Sequence, residues 1–259
     1  MSLRLPPRNL LADWSERSAL LDYLAEKFPV AREKIRVPGR FDPAREIGPE
    51  PEDFGGIELE MVSVANPHDQ IDHLMGEVVG GDFQWEPFWA QAWPSARRLA
   101  EWMNAEDRRS SWAGRRVLDL GCGVGLCGCV AAALGADVTL ADYAEPAVWF
   151  AAANVWPWRE HAQAVVFDWH QDRFPHKFDV ILGADIVYEQ RNWSALANFF
   201  AEYLTDDGQL VLTEPGRETG ETFQVFLRSL GWRIEASVLT TLANNRPLRL
   251  LLANRCSTP

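Results

Sequence analysis

The sequence predicts a doubly wound α/β fold: a mostly parallel sheet with helices on both faces, closed by a C-terminal antiparallel hairpin and preceded by an extension of helix and strand. Three observations carry this. From Arg115 onward, short apolar runs alternate with helix-length segments, the pattern of a parallel sheet covered on both sides. The first of these runs leads into a glycine-rich turn, Gly121-Cys122-Gly123-Val124-Gly125. The last two runs are joined by a connector, Thr241–Pro247, whose Asn244, Asn245 and Pro247 are turn residues and leave no room for a helix.

Taken in chain order, Ser18–Phe28 (SALLDYLAEKF) reads as a helix. Pro38–Gly56 is rich in proline, glycine and charge, and the stretch Glu33–Gly55 is expected to be loop. Ile57–Val64 (IELEMVSV) alternates as a strand does. Glu86–Met103 brings three large aromatics, Phe88, Trp89 and Trp93, ahead of a helix entered through Pro94, with Ala96, Leu99, Ala100 and Met103 as its apolar positions. The strands of the sheet are then expected at Arg116–Leu120, Asp137–Ala141, Ala164–Phe167, Phe178–Gly183 and Gln209–Thr213, with the hairpin at Arg233–Thr240 and Leu248–Ala253. Helices fall between them near Gly125–Leu134, Pro146–Val155, Trp193–Leu204 and Glu218–Leu230. This divides the chain into an extension, 1–84, and a ligand-binding domain, 85–259. Whether the extension acts as a lid or as an interface is left open by its residues.

Composition narrows the function. The 259 residues carry 25 Lys+Arg against 37 Asp+Glu, a net charge of −12, with 47% hydrophobic and 24% charged residues. That is a globular mix, not a disordered one. The acidity argues against a nucleic-acid binder held by phosphate contacts, which needs clustered Lys and Arg. No apolar run reaches the roughly 18–20 residues of a membrane helix, and the opening residues lack the apolar core of a signal peptide. Cys122, Cys127 and Cys129 have a spacing unlike that of a zinc site and read as small buried thiols of a cytoplasmic protein. His68, His73, His161, His170 and His176 are scattered, so no catalytic metal is expected.

The glycine turn follows a strand and precedes a helix, the context in which backbone must bend sharply and approach a ligand. Asp142 closes the next strand, 21 residues after Gly121, where a carboxylate can accept from both hydroxyls of a ribose. The spacing G-x-G-x-G differs from the dinucleotide pattern G-x-G-x-x-G. Asp119, two residues before Gly121, would repel phosphate but suit a ligand with a cationic amine. After the fourth strand, FDVILGADIVYE sets Asp185 and Tyr188 at a carboxyl end of the sheet, where ligands bind in open α/β folds. Both side chains can orient an amine through its N–H donors.

VLDLGCGVG (Val117–Gly125), with Asp142 after it, resembles the first two motifs of class I S-adenosylmethionine-dependent methyltransferases. These have a Rossmann-like seven-stranded sheet ending in an antiparallel hairpin. The resemblance covers roughly Trp85 to Arg255 and implies S-adenosyl-L-methionine as cofactor, with S-adenosyl-L-homocysteine as product. It implies cofactor contacts from Trp93, Asp119, Gly121, Cys122, Gly123, Asp142, Tyr143 and Ala184. It also implies adenine contacts from Asp168 and Trp169. The D-x-x-Y of Asp185 and Tyr188 resembles the post-strand motif of the protein-lysine methyltransferase branch, and the N-P-P-Y of DNA-adenine and glutamine methyltransferases is absent. W-P-S-A at Trp93 resembles that branch's entry segment. Glu214-Pro215-Gly216-Arg217 resembles the acidic-P-G-R turn of the electron-transfer-flavoprotein β-subunit lysine methyltransferases. Catalytic roles are therefore expected for Asp185 and Tyr188, and substrate contacts for Phe88, Trp89, Glu214 and Arg217. The implied acceptor is a lysine on a protein partner, which the net negative charge suits. A small amine metabolite, a non-catalytic binding module and a nicotinamide oxidoreductase are the alternatives. No membrane partner is expected, and the sequence sets no oligomeric state. The chain departs from the branch in its long lead before Trp85, in Val124, and in a Cys- and Ala-rich helix after the glycine turn.

Overall fold

The computed structural model describes residues 7–41, 55–67, 88–105, 108–242 and 244–255. The extension contributes helix α1 (Arg17–Lys27) and two antiparallel strands, β1 (Val30–Val37) and β2 (Ile57–Val64). Strand β1 corrects one expectation: Glu33–Val37 is strand rather than loop. Its outward Glu33 and Lys34 hide the alternation; they pair with Arg97 at 2.9 Å and Glu58 at 3.1 Å, while Ile35 and Val37 are buried. Residues 42–54 of that passage, and also His68, His73, Trp85 and Glu86, lie outside the described residues.

Next come α2 (Pro94–Met103), β3 (Arg116–Leu120), α3 (Leu126–Ala133), β4 (Asp137–Asp142), α4 (Glu145–Val155) and β5 (Ala162–Val166). After them follow β6 (Phe178–Ala184), α5 (Trp193–Tyr203), β7 (Leu204–Glu214), α6 (Glu218–Ser229), β8 (Trp232–Thr241) and β9 (Pro247–Arg255). Proline opens α2 as expected, since a first-turn N–H has no helical partner. Strand β7 starts five residues before the expected Gln209, at Leu204, which pairs with Phe178 across a bulge. Its Thr205-Asp206-Asp207-Gly208 stretch has the composition of a turn, which concealed it.

The sheet order is β5-β4-β3-β6-β7-β9-β8, seven strands. Strands β3 to β7 pair in parallel, and β9 joins antiparallel to β7 and β8. The chain runs outward from β3 to β5 and then returns to β6. The direction of travel therefore reverses between β3 and β6, the place where open α/β sheets bind ligands.

One face of the sheet is covered by α2, α3, α4 and the extension, the other by α5 and α6. Leu20 and Leu24 of α1 are buried in the first core. Arg17 Nε donates to Ala153 O at the end of α4, 2.8 Å away. Asn154, also on α4 and buried, accepts from Val62 N at 2.7 Å and donates to Val62 O at 2.9 Å and Val124 O at 2.8 Å. One side chain thereby ties β2 to the glycine turn.

Candidate active site

The carboxyl ends of β3, β4, β5 and β6 open into a cavity of about 610 Å³. Its first half is built on the glycine turn. Gly125 caps α3 with φ +84°, and a Cβ there would meet Leu140 Cδ2 at 2.7 Å and Ala151 Cα at 3.2 Å. Both the conformation and the space call for glycine.

Asp119 in β3 is 2% exposed, and its Oδ2 accepts from Gly128 N at 2.7 Å. Burial raises its pKa to about 7, with the Gly128 bond opposing and Asp142 adding. Asp142 Oδ2 accepts from Gly123 N and Oδ1 from Ala144 N, both at 2.9 Å. Burial raises its pKa too, against those bonds. Asp142 therefore shapes the turn, while each oxygen keeps a lone pair for a ligand. Cys122 and Cys127 line the same wall, and burial raises both thiols well above the usual range, so they stay neutral. Tyr143, Gly121 and Gly123 complete this half. Trp169 closes it from beyond β5; its buried Nε1 has no hydrogen-bond partner among the described residues. Asp168 is not part of the lining. Its carboxylate accepts from His170 N and from Gln171 Nε2, each at 2.8 Å, and closes the turn after β5.

The second half forms around Asp185, beside Ala184. Asp185 has φ +60°, a conformation Asp tolerates better than most residues, and its N–H donates to Thr213 O at 2.8 Å. The carboxylate is 14% exposed and pairs with Arg217 Nη1 at 2.7 Å. Burial raises its pKa to about 6, with Arg217 opposing and Glu214 adding. The Arg217 guanidinium also lies 5.9 Å from the Tyr188 ring centre. Tyr188 meets Phe88 edge-on at 5.9 Å, and Phe88 meets Trp93 at 6.1 Å. Trp93 Nε1 donates to Phe88 O at 2.5 Å, fixing this aromatic rim ahead of α2.

Two of the expected substrate residues sit elsewhere. Trp89 lines the cavity on the glycine-turn side, edge-on to Phe28 at 6.0 Å and tilted against Phe150 at 5.9 Å. Glu214 is off the cavity wall and 1% exposed. Its oxygens accept from Arg249 Nη1 at 2.9 Å and Arg217 N at 3.1 Å, so it anchors the turn from beneath. Gln91, Glu189 and Arg191 also line the cavity, beyond the residues expected from sequence. Arg191 grips Glu189 through two bonds, at 2.8 and 2.9 Å. Closeness to Tyr188 was the one sequence signal for that pair.

A sheet of this order with a glycine turn after its first strand and an acidic end to its second is a class I methyltransferase fold. Solved structures agree on the fold. The N-methyltransferase NodS of Bradyrhizobium japonicum, in complex with S-adenosyl-L-homocysteine, has a TM-score of 0.55 at 16% identity, covering 74% of this chain and 100% of that one. The 16S rRNA N2 G1207 methyltransferase RsmC of T. thermophilus has 0.56 at 17% identity, covering 88% and 51%.

Residues 87–230 match the lysine methyltransferase family model, and the chain belongs to that family. It is similar to protein N-lysine methyltransferase METTL21A of Danio rerio, 43% identical over 107 residues, 38% of this chain and 48% of that protein. It is 31% identical over 140 residues to EEF1A lysine methyltransferase 3 of Mus musculus, covering 50% and 59%. To the electron transfer flavoprotein beta subunit lysine methyltransferase of Danio rerio it is 30% identical over 146 residues, covering 54% of each. The chain spans about half the length of the curated relatives it matches.

Proposed function

We propose that the protein transfers a methyl group from S-adenosyl-L-methionine to the side-chain amine of a lysine on a protein partner. One observation carries this reading: a single cavity has two chemically different ends. The glycine-turn end suits an adenosyl group joined to a cationic amino acid. Asp142 can accept from ribose hydroxyls, Asp119 can face the ammonium, and Trp169 offers an aromatic plane and an unused N–H. The cofactor when bound supplies an activated methyl on a cationic sulfur. The other end, Asp185 with Tyr188 and Phe88, suits an incoming alkylammonium.

The residues act chiefly by positioning. Holding two reactants in line contributes up to about 7–11 kcal/mol of the barrier in favourable cases. Asp185 and Tyr188 orient the amine through its N–H donors; desolvation by the docked partner favours the neutral amine needed for attack, while the Asp185 carboxylate opposes it. Phe88 and Tyr188 are 46% and 41% exposed, an open rim that favours an acceptor presented by a macromolecule. Among the described residues no helix is long and apolar enough to cross a membrane. The cytoplasmic location expected from sequence rests on the thiols Cys122, Cys127 and Cys129, which suit a reducing compartment.

The test is transfer of radiolabelled methyl into a cell lysate separated by size, followed by hydrolysis and analysis for methyl-lysine. Label in protein methyl-lysine is expected. Label confined to small molecules would make the acceptor a metabolite, and no label despite binding of S-adenosylhomocysteine would make the chain a binding module.

A further inference from the structure

The Asp185 carboxylate already holds a cation, and that cation belongs to the protein. Arg217 makes the two contacts that the proposed acceptor would need: an ion pair with Asp185 at 2.7 Å and a place 5.9 Å from the Tyr188 ring centre. Its own surroundings do not account for it. Arg217 is the N-cap of α6 and its side chain caps nothing. Helix N-caps favour Ser, Thr, Asp and Asn, and a positive charge at a helix N-terminus is disfavoured by the helix dipole.

The backbone beneath it is fixed. Gly216 has φ +65°, with its would-be Cβ facing Pro247 O, and Arg217 N–H is bound to Glu214 Oε2 at 3.1 Å. The side chain is only partly covered. It is 40% exposed while its partner Asp185 is 14% exposed, so the guanidinium lies over the carboxylate with solvent on its outer side.

We propose that Arg217 is an internal stand-in for the acceptor's ammonium, a gate that occupies the cation site until a lysine displaces it. This rests on the reading of Asp185 and Tyr188 as the acceptor site. Any incoming amine must break the Arg217–Asp185 pair before making its own. A free small amine brings little binding energy for that exchange. A lysine carried on a protein surface brings contacts from the rest of the partner. Arg217 then selects for macromolecular acceptors by raising the threshold for entry rather than by touching the transferred methyl.

The probe is n-butylamine, which carries the lysine side chain's alkylammonium. Its affinity is measured by ligand-observed NMR at pH 8 with saturating S-adenosylhomocysteine, for the native protein, R217A, R217Q and R217K. S-adenosylhomocysteine affinity serves as the check that each variant is folded; R217Q, which keeps length and polarity, replaces R217A if that variant fails it. Removing the charge should tighten butylammonium binding at least about tenfold, the scale on which a partly buried ion pair competes, whereas R217K should bind as weakly as the native protein. Unchanged or weaker binding in R217A and R217Q would overturn the gate and leave Arg217 as support for the Asp185 carboxylate.

Labelled methyl transfer to butylamine and to lysate protein is run in parallel. Tighter binding with no transfer to either keeps the gate and removes the methyltransferase reading. Transfer by the native protein with unchanged amine affinity in the variants removes the gate alone.

Discussion

Asp185 stores a cost that a single substitution releases. Its folded pKa is raised to about 6 from the ordinary 3.8, with burial the largest cause and the Arg217 pair only partly offsetting it. For an acid raised in the folded state, the native protein holds the proton more tightly. The stability this gives is therefore fully present below about pH 4 and is lost as pH rises through 6. The difference of about two pKa units corresponds to ~3 kcal/mol of destabilisation at pH 8. Asp185→Asn removes the charge, keeps the shape and tolerates the positive φ. We expect D185N to be more stable than the native protein at pH 8 by about 1–3 kcal/mol, which is several degrees of melting temperature for a domain of this size. It should also lose methyl transfer. Urea titrations of both proteins at pH 8, 6 and 4.5 measure this, and the gap should close toward pH 4.5. A variant less stable than native at pH 8, or a gap that ignores pH, would refute the reasoning and mean that the Arg217 pair outweighs burial.

Other outcomes follow from the same geometry. With Asp119 titrating at about 7, a ligand that places an ammonium on it should bind better as pH rises. The affinity for S-adenosylhomocysteine is expected to increase up to about tenfold from pH 6 to pH 8, read by calorimetry with proton release on binding. Asn154→Ala leaves buried backbone groups of Val62 and Val124 without their partner and should cost about 2–4 kcal/mol in denaturant melts, with weaker S-adenosylhomocysteine binding as the glycine turn loosens. Gly216→Ala drives a Cβ into Pro247 O at a positive φ, and should lower stability by more than about 1 kcal/mol while reducing transfer more than cofactor affinity.

Much of the sheet was legible because central parallel strands are apolar on both faces. Arg116–Leu120 falls where that pattern put it, and Ile57–Val64, in the separate antiparallel pair, falls where its own alternation put it. Strand β1 escaped because an edge hairpin needs few buried residues, and its charges are satisfied across the strand pair and by α2. Asp119, Asp142 and Asp185 could be placed on the cavity wall because they lie at the ends of strands that converge on the reversal between β3 and β6, and Tyr188 follows three residues after Asp185. The division of labour within Glu214-Pro215-Gly216-Arg217 could not be read in this way. Which of two neighbouring charges points inward depends on Arg249, more than thirty residues away, which draws the Glu214 carboxylate under the turn. The pairing of Arg217 with Asp185 is likewise a fact of β6 and β7 lying side by side.

The bond from Asn154 to both Val62 and Val124 separates two meanings of the word module. The stretch recognisable by descent, 87–230, omits α1 and β2, and stops before the two strands that finish the sheet. A protein shortened to that stretch would expose the α4 surface on which Leu20, Leu24 and Val62 now rest, and would strip Asn154 of its Val62 partners. Heredity marks out 87–230, while the packing crosses its boundary, so the extension and the sheet domain should melt as one cooperative unit in calorimetry.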